Sequence, residues 1–358
     1  MLKKSRKKII LSAGGTGGHL FPAQEVAREL TQDAEILFVS GGLSQSRFFD
    51  QKGFSFEEIL CSTLTIRKPW KWPKQLFNIV KGTFQAKRII QKFQPDAVVG
   101  FGSFFSLPVL LAAKWKKVPI ILHEQNALPG KVNRLFSAYA EMTAITFPES
   151  AAQLKGKSVE VLYPTRQKRE ELGWDYYGLS PDRITLLVFG GSQGAQKLNQ
   201  AFAEALPFLV ENLPPFQVIH FTGGHNSFAD VYEKWQIPYV EKEFESNIGH
   251  AWSIADLAIT RAGASTINEL ILYETPGIVI PYPFASENHQ VENAKHFVRT
   301  VKGGEMFLEH TLVPLRLGRS ICALVELKGH LKKKIQQYKA TRTEKTFAST
   351  ILNQEKRV

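Results

Sequence analysis

The sequence predicts an α/β protein of two nucleotide-binding-type domains, each built on a parallel sheet. Two observations predict it. Short apolar runs alternate with helical patterns, as expected for parallel strands joined by crossover helices. A glycine-rich turn of one kind also occurs twice at a strand-to-helix junction. Gly14-Gly15-Thr16-Gly17-Gly18-His19 follows Ile9-Ile10-Leu11, and Gly190-Gly191-Ser192-Gln193-Gly194-Ala195 follows Ile184–Phe189. Glycine lets backbone approach a ligand, and a helix start points N–H groups at negative charge. Two such units imply sheets facing each other across a cleft. That layout suits an enzyme with a phosphate-bearing donor on one side and an acceptor on the other.

Ile9–Ala13 reads as the first strand, Pro22–Leu30 as a helix, and Ile36–Ser40 as the second strand. A basic amphipathic segment comes next, then strands at Ala97–Gly100 and Ile120–Leu122. After the polar, basic stretch Thr165–Glu171 the pattern restarts with strands at Ile184–Phe189, Gln217–Phe221, Leu257–Ile259 and Gly277–Pro281. A linker near Pro164–Arg169 separates a domain of residues 1–164 from one of residues 165–336. From about Leu331 the chain reads as a polar, lysine-rich helix without a core of its own.

The 358 residues fit two domains at about 150 residues each. Cys61 and Cys322 are the two cysteines, so no disulfide framework is expected and a reducing compartment fits. The basic start Met1–Lys8 leads into an apolar run that ends at Ala13, too short for a signal peptide. No run approaches the roughly 18 apolar residues of a membrane span, and a cytoplasmic protein is expected.

The net charge of +12 calls for an anionic partner. It concentrates in one segment, where Arg67, Lys68, Lys71, Lys74, Lys81, Lys87, Arg88 and Lys92 are accompanied by no acidic residue. Ile79, Ala86, Ile90 and Phe93 fall at helical spacing and read as core. Trp70, Trp72, Leu76, Phe77 and Phe84 are interleaved with the cations, and a basic aromatic face suits anionic lipid at a membrane surface. The plainer alternative is a solvated basic face over core. No nucleic-acid-binding signature accompanies the charge, and no nucleic-acid partner is expected.

Four strand ends carry candidate chemistry. The first turn lacks the third glycine of a dinucleotide fingerprint, and the second strand ends without a carboxylate, which disfavours a nicotinamide enzyme. His19 lies at a helix start, where the dipole favours neutral imidazole; it reads equally as a base for a hydroxyl or as an orienting residue. His123-Glu124-Gln125-Asn126 concentrates four polar side chains after a strand, as either a ligand loop or a hydrogen-bonded closure of the sheet edge. In Arg261–Glu269 a helix is expected near Ser265. Its N–H groups would face a diphosphate and Glu269 a ribose diol, unless Glu269 is simply solvated. Glu287-Asn288-His289-Gln290 forms a further polar loop. No metal-ligand spacing stands out, so neither a metal nor a cofactor is expected. Leaving-group charge would then fall to backbone N–H groups with Arg166 or Arg261.

Taken together, Gly14–Pro22 (GGTGGHLFP), His123–Asn133 (HEQNALPGKVN), Gly190–Asn199 (GGSQGAQKLN), Arg261–Glu269 (RAGASTINE), His289-Gln290 and Asn293-Ala294 resemble the MurG family of peptidoglycan glycosyltransferases. The resemblance implies a GT-B fold of two Rossmann-like domains, with the last helix, about 337–358, crossing back to the first. It implies transfer of N-acetylglucosamine from UDP-N-acetylglucosamine to the C4 hydroxyl of undecaprenyl-diphosphate-N-acetylmuramoyl-pentapeptide (lipid I), with inversion. The first domain would receive the acceptor and the second would hold UDP. Thr16, Gly17 and Gly18 would lie near the transferred sugar, which Asn126 and Gln290 would contact. Arg166 and Ser192 would meet the diphosphate, Ala264, Ser265 and Thr266 would supply N–H groups, Glu269 would hold the ribose, and the chain at Phe244-Glu245 would reach the uracil. His19 is the first candidate base and Glu124 the second. The basic aromatic segment, with Trp115, would dock on the cytoplasmic leaflet.

The chain departs from the family pattern at Leu162-Tyr163, and at Ser103 and Phe104, where glycine and tyrosine are usual. Open alternatives are a sugar-nucleotide epimerase of the same fold, a glycolipid glycosyltransferase, and a basic binding module without catalysis.

Overall fold

The computed structural model describes residues 6–63, 69–165, 173–191, 195–224 and 227–353. Arg67, Lys68, Arg166 and Ser192 lie outside the described residues. The chain divides into two compact units, Met1–Arg166 with Thr343–Val358, and Gln167–Arg342.

In the first unit the elements run β1 (Lys7–Ser12), α1 (Gly17–Leu30), β2 (Ala34–Ser40), β3 (Phe56–Glu58), α2 (Trp72–Phe93), β4 (Ala97–Gly100), α3 (Ser103–Lys116), β5 (Ile120–Glu124), α4 (Lys131–Phe136), β6 (Met142–Ile145) and β7 (Ser158–Glu160). The strands form one parallel sheet in the order β3-β2-β1-β4-β5-β6-β7. Helices cover both faces, so successive residues of one strand enter different cores. Ile9 and Leu11 join Phe38, Val99 and Phe101 on one face, whereas Ile10 joins Val39, Val98 and Leu122 on the other.

The second unit repeats the plan with α5 (Gly173–Tyr177), β8 (Ile184–Phe189), α6 (Gln196–Asn212), β9 (Phe216–Phe221), α7 (Ala229–Lys234), β10 (Tyr239–Lys242), α8 (Gly249–Ile254), β11 (Leu257–Thr260), α9 (Ala264–Tyr273), β12 (Gly277–Val279), α10 (His289–Lys295), β13 (Gly304–Met306), α11 (Pro314–Glu326) and α12 (Lys328–Ala340). Its parallel sheet runs β10-β9-β8-β11-β12-β13. In each unit the chain winds outward from a central strand, then returns to that strand's other side. The loops leaving β1 and β4, and those leaving β8 and β11, therefore diverge. Such reversal points leave a crevice at the carboxyl ends of the strands.

Beyond α12, the short helix α13 (Phe347–Leu352) returns to the first unit. Phe347, Ala348 and Ile351 are buried in the α1-side core, and Leu162 N–H donates to the Lys345 carbonyl at 2.9 Å. The single polar tail helix expected from about Leu331 is thus two helices. Ile335 of α12 is buried within the second unit, which extends to Arg342, beyond the expected limit at 336.

Other elements also differ from expectation. Helix α1 begins at Gly17, five residues before Pro22, which sits inside it. The second half of the glycine turn, Gly17 to His19, therefore forms the first turn of the helix. Strand β5 runs through His123 and Glu124, placing both in the sheet. β3, β6, β7, β10 and β13 hold three or four residues each, and polar residues interrupt their apolar runs, unlike those of the equally short β4, β11 and β12.

Helix α2 buries Ile79, Ala86 and Ile90 against its own unit, with Phe93 half-buried. Gly82 is required there, since a Cβ would lie 1.9 Å from the Leu60 carbonyl oxygen. Outward, Trp70 (71% exposed), Trp72, Leu76, Phe77 (63%) and Phe84 are exposed. Trp115 of α3 extends this face, edge-on to Phe84 at 5.5 Å, with the Lys87 ammonium 3.8 Å from its ring centre. Among the described residues, no helix is long and apolar enough to cross a membrane.

Ser103 opens α3 with φ of 68°, directly after Gly102 at 83°. A side chain in this left-handed region costs about 1–2 kcal/mol, against about 0.5–1 kcal/mol of chain entropy for glycine. Ser103→Gly should therefore stabilise the protein by up to about 1 kcal/mol. The check is the urea midpoint of unfolding, which should rise; a fall would show that the serine hydroxyl outweighs the strain.

Candidate active site

The first unit gathers its candidates at the ends of β1, β4 and β5. Gly14 packs tightly, since a Cβ would meet Phe105 Cβ at 2.7 Å and Ser40 Oγ at 2.8 Å. Gly15 has φ of 92°, which turns the chain into α1. Thr16 is the extended N-cap residue, its carbonyl accepting from the N–H groups of His19 and Leu20 at 3.2 Å. Thr16 and Gly18 are exposed, Gly17 is buried and His19 is half-buried. The His19 ring turns back toward β4 and β5, with Nδ1 2.9 Å from the Phe101 carbonyl oxygen and 2.5 Å from Gln125 Nε2.

Glu124, the second candidate base, is held inside its own loop. It is buried, and both its oxygens are occupied. Oε1 accepts from Asn126 N–H at 2.9 Å and its side-chain amide at 3.4 Å. Oε2 accepts from Gly130 N–H at 2.9 Å and from Asn133 Nδ2 at 2.8 Å. Burial raises its pKa, while these four bonds act in the opposite direction. The carboxylate is the anchor of the loop that carries Asn126, which is half-buried beside it. Asn133 closes the anchor by also donating to the His123 carbonyl at 2.9 Å.

In the second unit the corresponding ends are those of β8, β11 and β12. Gly191 has φ of 76° after β8, and α6 begins at Gln196. After β11, Gly263 is an extended N-cap without a capping side chain. The first bond within α9 is Ile267 N–H to the Gly263 carbonyl, 3.0 Å. The amides of Ala264, Ser265 and Thr266 consequently lie at the positive end of the helix. Glu269 is one turn on from Ser265 and accepts from the Trp252 indole N–H at 3.1 Å. Burial pushes its carboxyl up to about 7, against the pull of that hydrogen bond. Beyond β12, Gln290 fixes the Tyr282 loop by accepting from the Tyr282 N–H at 2.9 Å, so its amide nitrogen points the other way.

Two charged residues have structural roles that the sequence did not disclose. Arg261 is buried, paired with Glu309 and donating to the carbonyls of Ile280 (3.3 Å) and Pro281 (3.4 Å). It ties the ends of β11 and β12 together, while its Nε has no hydrogen-bond partner among the described residues. Glu245 accepts from Lys242 Nζ at 2.7 Å, Asn247 N–H at 2.9 Å and Tyr176 Oη at 3.4 Å. Burial raises its pKa, but Lys242 and the Asn247 amide outweigh that and hold it low. The exposed neighbour Phe244 is the more accessible of the pair. Gln125 and Trp252 are the residues that sequence reasoning missed as partners of the site. Gln125 was legible only as one of four polar residues, and nothing local links Trp252 to Glu269.

Comparison with known proteins agrees with the architecture of two parallel-sheet units. Residues 9–145 match the glycosyltransferase family 28 N-terminal domain, and residues 185–351 match the family 28 C-terminal domain. The chain is 42% identical to a UDP-N-acetylglucosamine–N-acetylmuramyl-(pentapeptide) pyrophosphoryl-undecaprenol N-acetylglucosamine transferase of Protochlamydia amoebophila, across 97% of this chain and 96% of that protein. It is 36% identical to the protein of the same name from Chlamydia pneumoniae, across 98% and 99%. Among solved structures it is similar to MurG of Acinetobacter baumannii, with 26% identity, a TM-score of 0.75, and coverage of 97% of this chain and 98% of that one. A plant UDP-glucosyltransferase from Polygonum tinctorium, 14% identical with a TM-score of 0.72, covers 98% of each chain and shares the fold alone. Two parallel-sheet units with the expected motifs at their reversal points, matched over both domains, place this chain in glycosyltransferase family 28, with the GT-B fold.

Proposed function

We propose that this protein transfers N-acetylglucosamine from UDP-N-acetylglucosamine to the C4 hydroxyl of the muramyl residue of lipid I, with inversion, forming lipid II. The observation that carries it is the start of α9. Three main-chain amides, Ala264 to Thr266, precede by one turn a carboxylate that Trp252 holds in place. That spacing suits the diphosphate and ribose of one nucleotide. The names of the relatives supply the sugar and the acceptor.

The chemistry is a single displacement. His19 takes the proton of the acceptor hydroxyl, whose oxygen attacks the anomeric carbon from the face opposite the leaving group. The bond to UDP breaks with its electron pair, and the α9 amides meet the charge, with Arg166 and Ser192 assigned to the same task. Thr16, Gly17 and Gly18 flank the sugar, and Asn126 and Gln290 offer amides to its hydroxyls. Phe244, beside Glu245, is assigned to the uracil. The face of α2 with Trp115 docks on anionic lipid of the cytoplasmic leaflet, where the lipid-linked acceptor resides. Each lysine or arginine near such a surface contributes about 1 kcal/mol.

UDP release from UDP-N-acetylglucosamine should require lipid I, with a disaccharide-linked lipid as product. Release of free N-acetylglucosamine derivatives without acceptor would favour an epimerase or hydrolase instead. Glu269 gives donor binding a defined pH dependence. Ribose hydroxyls donate to the ionised carboxylate, and its pKa in the free protein is about 7. Below that value protons compete with the ribose, so UDP affinity should fall by up to about tenfold per pH unit as pH drops from 7. Calorimetric titration of wild type against Glu269→Gln checks this: the variant should bind weakly and without that slope. A shared slope would remove Glu269 from the ribose. Replacing Trp70, Trp72 and Phe84 by serine should release the protein from anionic vesicles in a flotation assay. Undiminished binding by the triple variant would move the docking face elsewhere.

A further inference from the structure

The His19 ring, read above as the base, is held by a pair of contacts that conflict as they stand. The Phe101 carbonyl, 2.9 Å from Nδ1, can only accept, so Nδ1 carries a proton. The Gln125 amide nitrogen, 2.5 Å from the same atom, can only donate. Meanwhile the Gln125 side-chain oxygen is buried and has no partner among the described residues. Leaving such an oxygen unmet costs about 1–3 kcal/mol. Beneath Gln125 lies His123, fully buried between Phe101 at 5.4 Å and Phe347, stacked at 5.0 Å. Neither of its ring nitrogens has a hydrogen-bond partner among the described residues. His123 is neutral, since burial pushes its pKa down to about 3, with the His19 charge adding to this and the Gln125 amide opposing it.

A half-turn of the Gln125 amide about its last side-chain bond removes the conflict. The oxygen then accepts from His19 Nδ1–H alongside the Phe101 carbonyl. The NH2 group then faces the side where the oxygen was orphaned, toward the neutral His123 ring. Amide oxygen and nitrogen have nearly the same shape, so the turn needs no repacking. We propose that Gln125 is a positioning residue, which through its side-chain oxygen and together with the Phe101 carbonyl locks His19 in the Nδ1–H tautomer and so places the basic lone pair on Nε2. The assignment rests on His19 as base and explains how it would act. The acceptor proton passes to Nε2, the acceptor oxygen bonds to the anomeric carbon, and the UDP oxygen leaves with the electron pair. The resulting imidazolium keeps its Nδ1–H between two oxygen acceptors, which stabilises the cation as it forms.

The test uses full-length protein with 15N-labelled histidine, together with steady-state kinetics. The His19 ring should show a protonated Nδ1 and an unprotonated Nε2 in wild type. Gln125→Met, of similar length but with no acceptor of this kind, should give a mixture of tautomers. Its kcat should fall at least about 10-fold, toward the 10²–10⁴ that general base catalysis contributes, while the KM for UDP-N-acetylglucosamine stays within about twofold. Gln125→Glu restores an oxygen and should recover the Nδ1–H tautomer. An Nε2–H tautomer in wild type overturns the assignment without recourse to any variant. So does Gln125→Met with wild-type tautomer and kcat. A wild-type kcat in His19→Ala would overturn the base role itself, an outcome distinct from either of these.

Discussion

Reversal of winding direction beside β1 and again beside β8 is the constraint from which the candidate site follows. A parallel sheet must return its chain through helices, and all its strands point the same way. Their carboxyl ends therefore emerge together, and only where the winding reverses do neighbouring loops part. The glycine turns occupy the loop after the reversal strand in both units. The loops after β4 and β11, and after β5 and β12, supply most of the remaining candidates, with Phe244 and Glu245 following β10. The likeness between the halves is one of architecture. The residues at equivalent ends have diverged, with His19 and Asn126 on one unit and the α9 amides and Glu269 on the other.

Charge within the loops is used mostly to hold the loops. Glu124 and Arg261 sit at strand ends, where a ligand-facing role is the natural sequence reading. Both are buried, and a buried charge is tolerated only with its hydrogen bonds made internally. Glu124 gathers four donors from its own loop, and Arg261 gathers Glu309 and two carbonyls from the next strand end. Main-chain amides and neutral side chains need no such compensation to face a ligand. Glu269 is intermediate. It has one donor, Trp252, and retains acceptor capacity.

Helix α2 shows how one element serves the core and a surface together. Its small and branched residues pack inward, close enough that Gly82 touches the Leu60 backbone. Its aromatic residues point outward beside lysines. An exposed aromatic face of this kind is unusual for a solvated helix and expected for one that meets an interface.

The parallel-sheet class, the two glycine turns, the core stripe of α2 and the motif-bearing strand ends were all legible in the sequence. Each follows from local rules: apolar runs, helical period, and glycine where the backbone must turn. The strands β3, β6, β7, β10 and β13 were not, because polar residues interrupt their apolar runs, whereas the equally short β4, β11 and β12 keep theirs. The division of the tail into α12 and α13 was decided by which core offered room for Ile335 and which for Phe347. The commitments of Glu124, Arg261 and Glu245, and the partners Gln125 and Trp252, were equally out of reach. For Arg261, Gln125 and Trp252 the partners lie far apart in the chain; for Glu124 and Glu245 most lie close in sequence, but in loops whose shape only folding sets.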